Sequence, residues 1–160
     1  FTQGYYDNDM AFVGRADNGI KALADMKGKI VGSLATSVGE AWIKANQDKY
    51  GFGEYKGYKT QQDFLLDLQN GRLDGGVNDL LGLQYAFQKM TELTVKEVIK
   101  SDDRYGLMCK KDLPALGKIN DTITTMKKDG TFAAIYKKWL LLDPQPGSAT
   151  ITELPIPAAQ

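Results

Sequence analysis

Two short stretches carry residue types that could hold charge at the ends of strands: Gly75-Gly76-Val77-Asn78-Asp79 and Gly32-Ser33-Leu34-Ala35-Thr36-Ser37-Val38-Gly39-Glu40. Ahead of the first, Leu68-Gln69-Asn70-Gly71-Arg72-Leu73-Asp74 reads as a helix end and a tight turn, so that a short buried strand delivers Asp79 to the C-terminal edge of a sheet, where open α/β folds bind ligands. A carboxylate there could meet a cation. Gly71 suits the left-handed residue that closes a helix, and Gly75-Gly76 place no bulk between strand and ligand. In the second stretch a strand runs through small residues into a helix whose first amides attract an anion, a carboxylate or a phosphate. Each stretch also has a plainer reading, in which Thr36 or Ser37 caps the helix behind it and Asp79 caps a helix starting at Leu80. Taken together, one negative and one positive pole are what an α-amino acid needs. The turn lacks the Gly-x-Gly-x-x-Gly and Gly-Lys-Ser/Thr patterns, which weighs against a nucleotide.

The composition removes other classes of function. The chain has 160 residues, 42% hydrophobic and 25% charged, which suffices for one good core. Twenty basic residues balance twenty acidic ones and are scattered along the chain, so no nucleic-acid partner is expected. There is no histidine and a single cysteine, Cys109, which excludes imidazole or paired-thiolate metal sites and Ser-His or Cys-His nucleophile pairs; no metal or cofactor is expected. Cys109 lies in Tyr105-Gly106-Leu107-Met108-Cys109, which reads as a buried strand with the thiol as a small core residue. No apolar stretch approaches the roughly 20 residues that span a bilayer, so the chain reads as soluble. It opens on Phe1 without a signal-peptide pattern, as expected of a processed or cut polypeptide.

The elements that must position the two poles alternate along the chain. Met10 to Arg15, Lys29 to Leu34, Glu54 to Tyr58, Gly75 to Asn78, Val95 to Ile99 and Gly106 to Cys109 read as strands. Between them the spacing predicts one or two helical turns over Ile20 to Met26. Longer helices are predicted from the Thr36-Ser37 cap to about Tyr50, from Thr60 to Gly71 and from Leu80 to Lys89. The alternation argues for parallel βαβ units with helices on both faces. Two amphipathic helices follow. One carries Leu113, Leu116, Ile119, Ile123 and Met126, the other Phe132, Ile135, Tyr136, Trp139 and Leu140, and both stripes read as core. Four of the five prolines lie beyond Asp143, an extended tail or linker with no folded element.

Phe1-Thr2-Gln3-Gly4-Tyr5-Tyr6, Gly32 to Glu40, Asn70 to Asp74 with Asn78-Asp79, and Asp129-Gly130-Thr131 leading to Ile135-Tyr136-Lys137-Lys138-Trp139 occur in that order. As a set, over residues 1 to 140, they resemble the polar amino-acid-binding family of solute-binding proteins, close to its glutamine-binding and lysine/arginine/ornithine-binding members. The resemblance implies a type II periplasmic-binding-protein-like α/β lobe with a mixed, mostly parallel sheet. It also implies an extracytoplasmic protein, periplasmic or anchored as a lipoprotein, that closes on a polar amino acid and delivers it to an ABC transporter permease. Matched to the family's motifs, Asp79 would hold the ligand's α-ammonium, Asn78 would lie beside the ligand, and Ser37, following Thr36, would hold the α-carboxylate. The turn is one residue shorter than usual and has Ala35 in place of the usual Gly.

The same resemblance implies an order of parts: residues 1–6 as a segment crossing the hinge, 7–103 as the second lobe, 104–142 as a returning strand and two helices of the first lobe, and 143–160 as the Pro-rich tail. Gly4, Tyr5, Tyr6, Tyr105 and Gly106 would be hinge residues. Most of the first lobe, with the family's carboxylate-clamping arginine, is not in this chain; Arg15, Arg72 and Arg104 do not match that clamp, and Arg72 reads as a solvated charge after a helix. The last two helices would then lack the strands they normally cover. They are expected either to repack on another copy, by domain swapping or dimerisation, or to cover the second lobe differently. Two rivals remain: an enzyme of the cyclohexadienyl dehydratase kind on the same scaffold, and the sensor domain of a membrane receptor.

Overall fold

The computed structural model describes residues 1–157 of the 160. The chain divides into two compact units, one formed by Asp9–Lys100 and the other by the residues before and after it.

The Asp9–Lys100 unit is a five-stranded sheet. In chain order its strands are β2 (Met10–Arg15), β3 (Ile30–Leu34), β4 (Glu54–Tyr58), β5 (Gly75–Asp79) and β6 (Leu93–Ile99), arranged β4-β3-β5-β2-β6. Its central strands are apolar on both faces because each face is covered. Met10 and Phe12 of β2 join Val31, Ile43, Phe52 and Val77 in one cluster. Ala11 and Val13, pointing the other way, join Phe64, Leu68, Leu73 and Leu83 in the second. The covering helices are α1 (Val38–Ala45), α2 (Gln47–Tyr50), α3 (Gln61–Gln69) and α4 (Leu80–Phe87).

Four strands run one way and β2 runs against them. β3 pairs in parallel with β4 and β5, whereas β2 pairs antiparallel with both β5 and β6, Met10 standing opposite Asp79 and Ile99. The expectation of parallel units therefore fails for β2, whose link to β3 contains only a 3-10 turn, Leu23–Met26, in place of a crossover helix. The single helix expected up to Tyr50 is broken at Asn46, whose side-chain amide donates to the Trp42 carbonyl at 2.9 Å and competes with the backbone ladder. The glycines of the central strands serve the core and not a ligand. A Cβ on Gly76 would stand 2.4 Å from the Phe64 ring, on Gly75 2.5 Å from the Phe12 ring, and on Gly32 2.6 Å from Leu73. Gly71 does close α3 in the left-handed region, at φ +72°.

In the other unit β1 (Tyr6–Asp7) pairs antiparallel with β7 (Arg104–Tyr105), followed by α5 (Leu116–Lys128) and α6 (Thr131–Leu140). The strand expected over Gly106 to Cys109 does not form. Thr2 donates its backbone N–H to the Leu107 carbonyl, but Met108 is 81% exposed and Cys109 is a half-buried thiol in a loop. A strand needs a neighbour along its length, and the ladder to β1 ends at Tyr105. The tail, within the described residues, has neither helix nor strand, yet it is not a free linker: Ala149 and Thr150 are buried.

Candidate functional site

The order β4-β3-β5-β2-β6 creates a topological switch between β3 and β5. The connection leaving β3 through α1 and α2 goes outward to β4, and the one leaving β5 through α4 goes the opposite way to β6. Two neighbouring parallel strands whose connections diverge leave a crevice beyond their C-terminal ends, the place where open α/β sheets take ligands. Val31 pairs with Gly75 and Gly32 with Gly76, so the strand ends carrying Leu34 to Ser37 and Asn78 to Asp79 emerge side by side, about 5 Å apart in the pairing direction.

At the end of β3 the ladder is extended by the Ala35 amide, which donates to the Tyr58 carbonyl at 2.8 Å. The chain then turns through Thr36 at φ +59°, a left-handed conformation that a β-branched residue seldom adopts. Ser37 is the N-cap of α1: its hydroxyl accepts the Glu40 amide at 3.2 Å and donates to the Leu34 carbonyl at 2.6 Å. The Thr36 hydroxyl donates to the Ala35 carbonyl at 2.7 Å. Both hydroxyls thus hold the turn, and of the two capping candidates in the sequence it is Ser37 that caps α1. The Thr36 amide donates to the Glu40 carboxylate, which is ion-paired with Lys44 at 2.6 Å. The Lys44 ammonium first, and that amide second, keep Glu40 below the usual carboxylate range. The Val38 and Gly39 amides at the start of α1 have no acceptor within their own helix and lie at the positive end of its dipole.

At the end of β5, Asn78 is buried and its side-chain oxygen accepts the Asp79 amide at 2.9 Å. Asp79 caps α4, one carboxylate oxygen accepting the Leu81 amide at 3.1 Å. The Leu80 amide donates to the Asp9 carbonyl at 3.0 Å, so β2 fixes the start of α4. Here too the capping role is realised, with the carboxylate at the C-terminal end of β5.

Gly39 brings the poles together. A Cβ on it would lie 2.7 Å from the Val77 carbonyl oxygen, so the first turn of α1 rests directly on the β5 backbone one residue before Asn78. Sequence reasoning missed Gly39, because a helical glycine is ambiguous until its neighbour is known. It also missed Glu40 on the Thr36 amide. A third omission was the buried Asp9, which pairs with Lys100 at 2.7 Å beside Met10 and Asp79; its proximity depends on the antiparallel register of β2.

Gly4, Tyr5, Tyr6, Tyr105 and Gly106 gather around β1 and β7 in the other unit. Tyr5 donates its amide to the Tyr105 carbonyl at 2.9 Å and stacks on Phe132, while Tyr6 packs against Tyr105 and Tyr136. Of the arginines, Arg72 is an exposed charge paired with Asp67, Arg15 pairs with Asp17, and Arg104 with Asp7. Among the described residues no group of three or more Asp, Glu, Cys or His side chains could hold a metal ion.

Comparison with known proteins agrees with this fold. The profile of the bacterial extracellular solute-binding proteins, family 3, matches residues 1–142. The chain is similar to ABC transporter arginine-binding protein 1 of Escherichia coli K12, 29% identical over 145 residues that cover 87% of this chain and 58% of that protein. It is similar to the L-cystine-binding protein TcyJ of Escherichia coli K12, 33% identical over 83% of this chain and 50% of that protein. Among solved structures, an ancestral arginine-binding protein bound to arginine superposes with a TM-score of 0.69 at 31% identity, covering 87% of this chain and 63% of the other. The chain thus spans only half to three-fifths of the length of these relatives. With a five-stranded lobe, a switch-point crevice and a family match over residues 1–142, the chain belongs to the bacterial extracellular solute-binding proteins, family 3.

Proposed function

We propose that this chain supplies the second lobe of an extracytoplasmic binding protein that captures a polar amino acid and hands it to an ABC transporter permease. The observation that supports the reading is the switch point between β3 and β5, whose neighbouring strand ends lead into the start of α1 and into the Asn78-Asp79 segment. Asp79 receives the α-ammonium, the turn at Thr36 and Ser37 receives the α-carboxylate, and Asn78 flanks the ligand. Gly4, Tyr5, Tyr6, Tyr105 and Gly106 form the hinge. Residues 7–103 act as the second lobe, and 104–142 complete the first. Relatives named for arginine, cystine and glutamine support an amino-acid ligand and leave the side chain open. The protein works outside the cytoplasm, in the periplasm or held at the membrane by a lipid anchor, and catalyses no reaction.

The test is nuclear magnetic resonance of the labelled chain titrated with α-amino acids. Shifts concentrated at Ser37 to Gly39 and at Asp79 to Leu81, with weak affinity because this lobe provides only part of the contacts, are the expected result. Shifts confined to other residues would overturn the assignment.

The apolar face of α5 and α6 supports a second part of the reading, a dimer in which another copy covers it. Tyr5, Leu107, Ile119, Ile123, Met126 and Phe132 line an almost wholly apolar cavity of about 320 Å³ there. Sedimentation equilibrium should return a dimer; a monomer at all concentrations removes this part without touching the ligand assignment.

A further inference from the structure

The described tail carries no regular element, but its backbone is hydrogen-bonded at fixed points to the segment that forms β1. The Ala149 amide donates to Asp7 at 3.0 Å and the Leu154 amide to the Gln3 side-chain oxygen at 3.2 Å. The most unusual contact is Lys127, 4% exposed, on α5. Its ammonium donates to the Gln3 side chain at 2.9 Å, the Gly4 carbonyl at 2.6 Å and the Thr152 carbonyl at 2.7 Å. An ammonium has three donors, and these acceptors satisfy all of them. The third acceptor belongs to the tail, so the buried charge is fully satisfied only when the tail is docked.

Gln3 is equally committed. It is 2% exposed, its amide donates to Asn120 at 2.8 Å, and its side chain donates to Thr124 at 2.8 Å while accepting from Lys127 and Leu154. Asp7, which holds Ala149, also pairs across to Arg104 on β7. The tail therefore touches β1 directly at Asp7 and is linked to β7 through the Asp7–Arg104 ion pair, and these are the strands next to which the chain passes from one unit to the other, after Asn8 and after Lys100.

We propose that residues 145–154 are a strap, pinned by Lys127, Gln3 and Asp7, that sets the conformational freedom of the paired strands β1 and β7. Its consequence for ligand-coupled motion rests on the hinge assignment made above, but the strap itself is tested without any ligand. Three backbone amides report on the strand pair: Thr2, Tyr5 and Asn8, which donate to Leu107, Tyr105 and Asp103. Ala35 and Asp74, donating to Tyr58 and Ile30, report on the other unit.

Hydrogen exchange of these amides is compared in the intact chain, in Lys127→Met, and in a chain with a protease site introduced at residues 143–144 and cleaved after folding. Both perturbations should speed exchange at Thr2, Tyr5 and Asn8 by about tenfold or more, the change expected for one lost charge-assisted hydrogen bond. Ala35, Asp74 and the amides of α5 and α6 should hold their protection, and a synthetic peptide of residues 143–157 should restore the cleaved chain. Unchanged exchange at the three amides would overturn the proposal. So would collapse of protection throughout α5 and α6, which would make the tail an integral part of that unit's core. Either outcome leaves the ligand titration unaffected, and failure of that titration leaves the strap in place.

Discussion

Replacing Gly39 by Ala tests the contact on which the candidate site depends. Gly39 is the second residue of α1, and an added Cβ would stand 2.7 Å from the Val77 carbonyl oxygen and 3.4 Å from the Ser37 hydroxyl. Val77 is fully buried in a central strand and cannot retreat, so the first turn of α1 must lift, carrying Ser37 away from Asn78. Overpacking of this kind costs about 1–3 kcal/mol, against a helix-propensity gain of up to about 1 kcal/mol for Ala over Gly. The expected net loss is about 1 kcal/mol, or roughly 4–8 °C in the melting of a unit of this size. Gly117 provides the control: it is the second residue of α5, and a Cβ there meets nothing within 4 Å. Gly117→Ala should show the propensity gain alone. Urea unfolding followed by fluorescence of Trp42, which lies in α1, reads the first variant once Trp139 in α6 is replaced by Phe; Trp139 itself reads the second. A Gly39→Ala protein as stable as the parent, or more so, would refute the reasoning, because propensity would then outweigh a contact claimed to be closed.

Three further outcomes follow from the same geometry. Thr36→Gly should stabilise the Asp9–Lys100 unit by about 1 kcal/mol in urea titration, since a β-branched residue at φ +59° carries strain that glycine releases; an unchanged midpoint would deny the strain. Asp79→Asn should cost about 2–5 kcal/mol of the amino-acid binding read by the resonance titration, as when a buried charge pair loses one partner, and retained affinity would remove Asp79 from the site. Tyr58 gives a pH dependence: burial first, and its 2.9 Å hydrogen bond to Asp67 second, raise its phenol well above the ordinary value. Because the folded value lies above the unfolded one, this stabilisation is complete below about pH 10 and is lost as pH rises beyond it. Phenolate absorbance should therefore show a step above the ordinary phenol range that Tyr58→Phe removes, and the same variant should flatten the alkaline fall in stability.

Much of the fold was legible because its signals are local. Glu54 to Tyr58 and Met10 to Arg15 form strands with the bounds that their sequence indicates, and the Thr60 and Ser37 hydroxyls cap α3 and α1 as residue type suggests. The family motifs, being contiguous, were legible for the same reason. The two poles were recognisable as residue types, but their adjacency was not. It follows from the order β4-β3-β5-β2-β6 and from one close approach at Gly39, and neither leaves a mark in a single sequence.

The errors share a cause. Gly75 and Gly76 looked like room for a ligand, yet the rings of Phe12 and Phe64, distant in sequence, fill that room. Gly106 to Cys109 has the composition of a strand but finds a neighbour only where Leu107 meets Thr2, and pairing is a property of two segments. The proline-rich tail looked detached, but its backbone finds Asp7, Gln3 and the Lys127 ammonium. Periodicity and capping act over a few residues, and the chain's order fixes them. Strand direction, glycine function and the satisfaction of buried polar groups depend on what stands opposite, which packing in three dimensions supplies.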